Sequence, residues 1–67
     1  MYENINLYFV EHPEHTMHMR IKQAGDKVKY ILDVRDENGT CMLQYLDWSM
    51  GAVIDRINTR LGQSPYV

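Results

Sequence analysis

Apolar and polar residues alternate one by one through the first two thirds of the chain. Ile5, Leu7 and Phe9 alternate with Asn4, Asn6 and Tyr8, and Met17, Met19 and Ile21 with His18, Arg20 and Lys22. Val28, Tyr30, Leu32 and Val34 alternate with Lys29, Ile31, Asp33 and Arg35, and Cys41, Leu43 and Tyr45 with Met42, Gln44 and Leu46. A two-residue period is that of a strand with one buried face, so strands are expected over about 4–10, 16–23, 28–35 and 40–46. Turn chemistry separates the runs: Glu11-His12-Pro13-Glu14-His15, Ala24-Gly25-Asp26-Lys27 and Asp36-Glu37-Asn38-Gly39. Asn-Gly suits a two-residue type I′ hairpin, and Gly25-Asp26 a second tight turn.

These turns make the registers testable against one another. A turn at Asn38-Gly39 sets Val34 opposite Leu43 and Leu32 opposite Tyr45; one at Gly25-Asp26 sets Ile21, Met19 and Met17 opposite Tyr30, Leu32 and Val34. Closing residues 11–15 as a loop sets Phe9 beside Met17 and Leu7 beside Met19. All apolar stripes then share one face, and a slip by one residue at any turn would break the pattern.

From Trp48 the period changes. Met50, Val53, Ile54, Ile57 and Leu61 recur at helical spacing, which predicts an amphipathic helix over about 49–61. Ser49 is its expected cap and Gly62 its stop, with residues 62–67 as a tail in which Pro65 prevents continuation. The expected fold is α+β: a single domain over 1–67, a four-stranded antiparallel meander with one C-terminal helix packed on one face (ββββα, two layers).

Composition narrows the class. The chain has 67 residues, 45% of them hydrophobic, and a formal net charge of −2. A chain this short hides only about 60% of the surface of its unfolded form, so small domains commonly add a disulfide, a metal or a second subunit. A lone Cys41 excludes an internal disulfide. No apolar run has the length of a membrane helix and the N-terminal residues do not resemble a signal peptide, which points to a cytoplasmic protein away from membranes. The charge balance argues against general nucleic-acid binding. Charge is unevenly placed, however: Glu3, Glu11 and Glu14 come without a basic neighbour, whereas Arg20, Lys22, Lys27 and Lys29 gather about the second turn.

With the helix on one face, the opposite face is the candidate working surface. Its expected rows are Tyr8–His18–Asp33–Gln44, Asn6–Arg20–Ile31–Leu46 and Val10–Thr16–Arg35–Met42. Ile31, Met42 and Leu46, with Val10, would form an apolar spot ringed by Tyr8, His18, Arg20 and Asp33, the composition of an interface. Trp48 is a second anchor candidate, with packing under the helix as its plainer use. His18 and Asp33 could share a charge-assisted hydrogen bond, but no Ser or Cys is expected to reach them: Cys41 should face the core, and Ser49 and Ser64 sit at the helix cap and tail. Catalysis and a cofactor are therefore not expected. His12, His15 and His18 invite a metal, yet His18 belongs to a strand and the other two to a loop, so metal handling by these histidines is a weak alternative. A stronger alternative is anion or nucleic-acid binding by the basic hairpin Arg20, Lys22, Lys27 and Lys29, of a kind shared at the level of fold with sheet-reading DNA-binding modules.

The stretch from Ile31 to Thr40, followed by a strand and a Ser-initiated helix, resembles the hairpin and helix of the small phage inhibitors of uracil-DNA glycosylase. It covers about half the chain, and the aromatic-acidic cluster and the further strand of those inhibitors are missing, so membership is not claimed. The resemblance illustrates a class: small dimeric proteins that act by occupying a larger enzyme. The expectation is accordingly a non-enzymatic, self-associating protein-binding module, a phage-type inhibitor or regulator of a nucleic-acid-processing enzyme.

Overall fold

The computed structural model describes residues 2–63, arranged as α1 (Glu3–Glu11), β1 (Thr16–Ala24), β2 (Lys27–Arg35), β3 (Cys41–Asp47) and α2 (Met50–Leu61). The α+β class and the antiparallel sheet stand, but the sheet has three strands in the order β1-β2-β3. The expected first strand, 4–10, is a helix. Its residues fit both periods: alternate positions give Ile5, Leu7 and Phe9, whereas helical spacing gives Tyr2, Ile5, Tyr8 and Phe9. The helical set is the one that packs on the core, leaving Leu7 59% and Val10 77% exposed. Nine residues are too few for a stable isolated helix, so tertiary contacts decide the outcome. The amide of Ile5 donates to the Asn58 side chain of α2 at 3.1 Å. Asn4 Nδ2 donates to the Asn58 carbonyl at 3.0 Å. Asn58 thus caps α1, whose own N-cap residue Tyr2 has no side-chain bond to it.

The β1–β2 register agrees with expectation throughout, and the β2–β3 register as far as Val34. β1 pairs Met17, Met19 and Ile21 with Val34, Leu32 and Tyr30, and β2 pairs Leu32 with Tyr45 and Val34 with Leu43. The Gly25 turn has two central residues, with Gly25 at φ +67° and Asp26 not positive, the sign pattern of type II′. The Asn38-Gly39 turn is not type I′, because only Gly39 has a positive φ, +82°. Asp36 O accepts from Gly39 N at 3.0 Å, and Asp36 Oδ1 from the Asn38 and Thr40 amides at 2.9 Å each. The tighter bonding around Asp36 lengthens the loop and shifts the register between Val34 and Arg35, so Arg35 faces Cys41 instead of Met42.

Helix α2 follows its predicted boundaries, with Ser49 Oγ accepting from Ala52 N at 3.3 Å and Gly62 at the C-cap. Val53 and Ile57 are fully buried against Leu32 and Val34, while Met50, expected on the same stripe, is exposed. α2 packs on β2 and β3, and α1 packs on α2. The helical layer therefore stops short of β1, every residue of which is exposed. A trough of about 340 Å³ remains there, lined by Tyr2, Ile5, Asn6, Met17, Met19, Leu32 and Ile54. The radius of gyration, 12.6 Å, exceeds the about 11 Å expected for this length, as a sheet wider than its cover requires. Residues 64–67, which include Ser64 and Pro65 of the expected tail, lie outside the described part.

Candidate functional site

Strand alternation sends His18, Arg20 and Lys22 of β1, Lys27, Lys29, Ile31, Asp33 and Arg35 of β2, and Gln44 and Leu46 of β3 to the face opposite the helices. The cross-strand rows Arg20–Ile31–Leu46 and His18–Asp33–Gln44 are those expected. Tyr8, Asn6 and Val10 are absent from them because they lie on α1.

Two members of this face are buried although no second layer lies above them among the described residues. Ile31 is 7% exposed and Asp33 2% exposed, so neighbouring side chains on the same face cover both. For Asp33 the cover is cationic: Arg35 Nε and Nη2 donate to its two oxygens at 3.2 and 3.3 Å, and Arg20 Nη2 stands at 3.9 Å. A buried carboxylate is tolerable only when paired in this way. The expected His18–Asp33 bond does not form. His18 Nε2 shares a hydrogen bond with Thr16 Oγ1 at 3.0 Å, within its own strand.

The apolar spot is consequently smaller than expected. Leu46 is 50% exposed, but Ile31 is already covered, Val10 is elsewhere, and Met42, 45% exposed, falls in the register shift instead of opposite Arg35. Cys41, expected in the core, is exposed, its thiol turned to the Leu43 carbonyl at 3.4 Å; the register shift before it is the cause. Trp48 does not pack under α2. It is 53% exposed, and the ammonium groups of Lys27 and Lys29 lie 5.8 and 5.5 Å from its ring centroid, within the range of a cation–π contact. The ring thereby joins the basic end of the open face. Lys22 and Lys29 are direct cross-strand neighbours, as expected. Arg56 and Arg60, the remaining cations, belong to α2, where Arg56 stacks on Tyr45 at 4.8 Å.

A second cluster forms where α1 meets β1. Tyr8 Oη hydrogen-bonds His15 Nδ1 at 2.9 Å, and the His12 and His15 rings stack with centroids 5.2 Å apart. Glu14 Oε1 lies 3.8 Å from His12 Nδ1 and 3.6 Å from His15 Nε2. Burial, and then the Glu14 charge, raise the Tyr8 phenol above its ordinary pKa. Of the three histidines weighed from the sequence, the structure joins His12 and His15 and leaves His18 on the open face. Glu14 was missed, though the spacing of a carboxylate between two histidines around Pro13 was available as a signal.

No helix among the described residues is long and apolar enough to cross a membrane. The chain matches no family model, no curated protein and no solved structure.

Proposed function

We propose that the chain is a protein-binding module, without catalysis of its own, whose open sheet face docks on an acidic surface of a larger protein. The observation that carries this reading is the segregation of charge. Arg20, Lys22, Lys27, Lys29 and Arg35 share one face of the sheet, and its buried acid, Asp33, is compensated within the face by Arg35 and Arg20. The positive sign of the surface therefore survives in a chain that is acidic overall. Lys22 directly opposite Lys29 costs stability in the free domain, a cost that an acidic partner would relieve. Arg and Trp are enriched at interface centres, which favours Arg20 and Trp48, with Leu46 supplying the exposed apolar contact. Ile31 and Asp33 support this surface from within, exposed His18 lies on it, and Tyr8 has no part in it.

Nucleic acid is the competing partner, since phosphates also seek a basic face. Titration with a mixed-sequence DNA duplex separates the two readings. Protein binding predicts no saturation at physiological salt; tight binding that weakens steeply between about 50 and 200 mM salt, in proportion to the phosphates neutralised, would overturn it.

Self-association belongs to a different surface. Among the described residues β1 and β3 are the two edges of the sheet; α2 packs on β3, whereas the inward residues of β1, Met17, Met19 and Ile21, are 40%, 37% and 63% exposed. Pairing of β1 with β1 of a second copy satisfies the edge and extends cover over these residues.

A further inference from the structure

We propose that His12, Glu14 and His15 form an open site for a divalent metal ion of the zinc class, tying the end of α1 to the start of β1. The three donor atoms lie within 4.8 Å of one another, and the two His–Glu separations are 3.8 and 3.6 Å. Donors about 2.1 Å from a tetrahedral zinc ion stand about 3.4 Å apart. Closure around an ion thus shortens the two His–Glu separations by about 0.2 to 0.4 Å, and brings the two histidine nitrogens, within 4.8 Å of each other, closer by up to about 1.4 Å. Two imidazoles and a carboxylate are a donor set that zinc accepts, with water in the remaining position. Access is open: the His12 and Glu14 side chains are 42% exposed and that of His15 15%.

The backbone holds the segment that carries the donors in place before any ion arrives, and the stacked His12 and His15 rings need to turn out of parallel to aim both lone pairs at one ion. His12 N donates to Tyr8 O at 2.8 Å and ends α1, and His15 N donates to His12 O at 3.0 Å and closes the turn around Pro13. The tyrosine adds an orienting contact. In the tautomer with its proton on Nδ1, His15 donates to Tyr8 Oη and keeps the Nε2 lone pair on the side of Glu14. That is how metal-binding histidines are commonly fixed. The field is favourable too. The last turn of α1 contains no basic residue, so nothing offsets the negative end of the helix dipole beside the site. His18 is excluded by its position on the open face and its bond to Thr16. An ion here would serve a domain that has no disulfide and whose α1 stands across a trough from β1.

The test is a zinc titration of the metal-free full chain, followed by calorimetry and by correlation spectra of the histidine ring nitrogens. The expected result is one ion per chain, with coordination shifts at His12 Nδ1 and His15 Nε2 and none at His18. His12→Ala, His15→Ala and Glu14→Gln each weaken binding at least about tenfold, and Tyr8→Phe about tenfold through the lost orienting bond. His18→Ala leaves the affinity unchanged, and circular dichroism of each metal-free variant confirms that it is folded. Absence of saturable binding would overturn the proposal. So would an equal loss with His18→Ala, unchanged affinity with Glu14→Gln, or a ring-nitrogen shift at His18 in the wild-type chain.

Discussion

Gly62 is where one methyl group would reach across the whole helical layer. A Cβ built there meets Asn4 Nδ2 and comes within 2.7 Å of Asn4 Cγ, and Asn4 is the residue that bonds the Asn58 carbonyl. Gly62 has an ordinary helical φ of −84°, so alanine fits the backbone there and the lower conformational entropy of its unfolded chain opposes the clash. Displacing Asn4 forfeits a hydrogen bond worth about 1 kcal/mol and strains the α1–α2 crossing besides. Gly62→Ala should therefore lower the stability measured by urea denaturation by about 1 kcal/mol. In an Asn4→Ala background the same change should cost nothing or stabilise slightly; equal costs in both backgrounds would locate the effect elsewhere. Tyr8 carries the pH dependence at this scale. Its raised pKa means that the folded chain holds the phenol proton more tightly than the unfolded one. The associated stability is complete below the unfolded value of about 10 and fades as pH rises through the higher folded value. Wild-type stability should fall between pH 8 and pH 11 by more than that of Tyr8→Phe, as measured by parallel urea titrations.

Among the elements, α1 is held least firmly. It packs on α2, takes its N-terminal cap from Asn58 and faces β1 across a trough. Its amides should exchange with deuterium well before those at the centre of β2, where Leu32 and Val34 are buried. Equal protection would show that α1 belongs to the same cooperative unit as the sheet. The uncovered edge strand β1 predicts self-association: sedimentation should find a dimer at micromolar concentration, dispersed by Met19→Lys. A monomer at that concentration, or a dimer indifferent to the substitution, would remove β1 as the contact. Ile31 is unsuited to such tests, because a polar replacement at a 7% exposed position disturbs the fold first.

What was legible in the sequence, and what was not, divides at this same scale. β1, β2 and their pairing could be read because Gly25 and the alternating stripes each demand the same register. α2 could be read because Ser49 and Gly62 mark its ends. α1 could not, because Ile5, Tyr8 and Phe9 satisfy a helix as well as Ile5, Leu7 and Phe9 satisfy a strand; Asn58, more than fifty residues away, decides between them. The misplaced Cys41, Met42 and Tyr8 follow from two local events. One is the longer loop around Asp36, and the other is the helix in place of the first strand. The surface chemistry of the hairpin was legible in its cations, but Trp48 was not. Its place beside Lys27 and Lys29 depends on where β3 ends relative to the start of β2.

For the whole molecule, the missing strand leaves two distinct surfaces. The helical side offers an unfinished apolar edge at β1, and the opposite side a basic face in which Asp33 is neutralised and Trp48 exposed. A net charge of −2 conceals that division, and the acidic α1 residues Glu3 and Glu11 belong to the helical layer. The central claim is that the basic face, and not charge in general, selects a protein partner. It is tested most directly by capture from nuclease-treated lysate of the source cells on three immobilised forms: wild type, Lys22→Glu/Lys29→Glu and Arg56→Glu/Arg60→Glu. The two variants change net charge equally but on opposite sides of the fold. Quantitative mass spectrometry should find a protein retained by wild type and by the Arg56/Arg60 variant and lost from the Lys22/Lys29 variant. Equal retention by all three, or loss of all retention after nuclease treatment, would contradict the account.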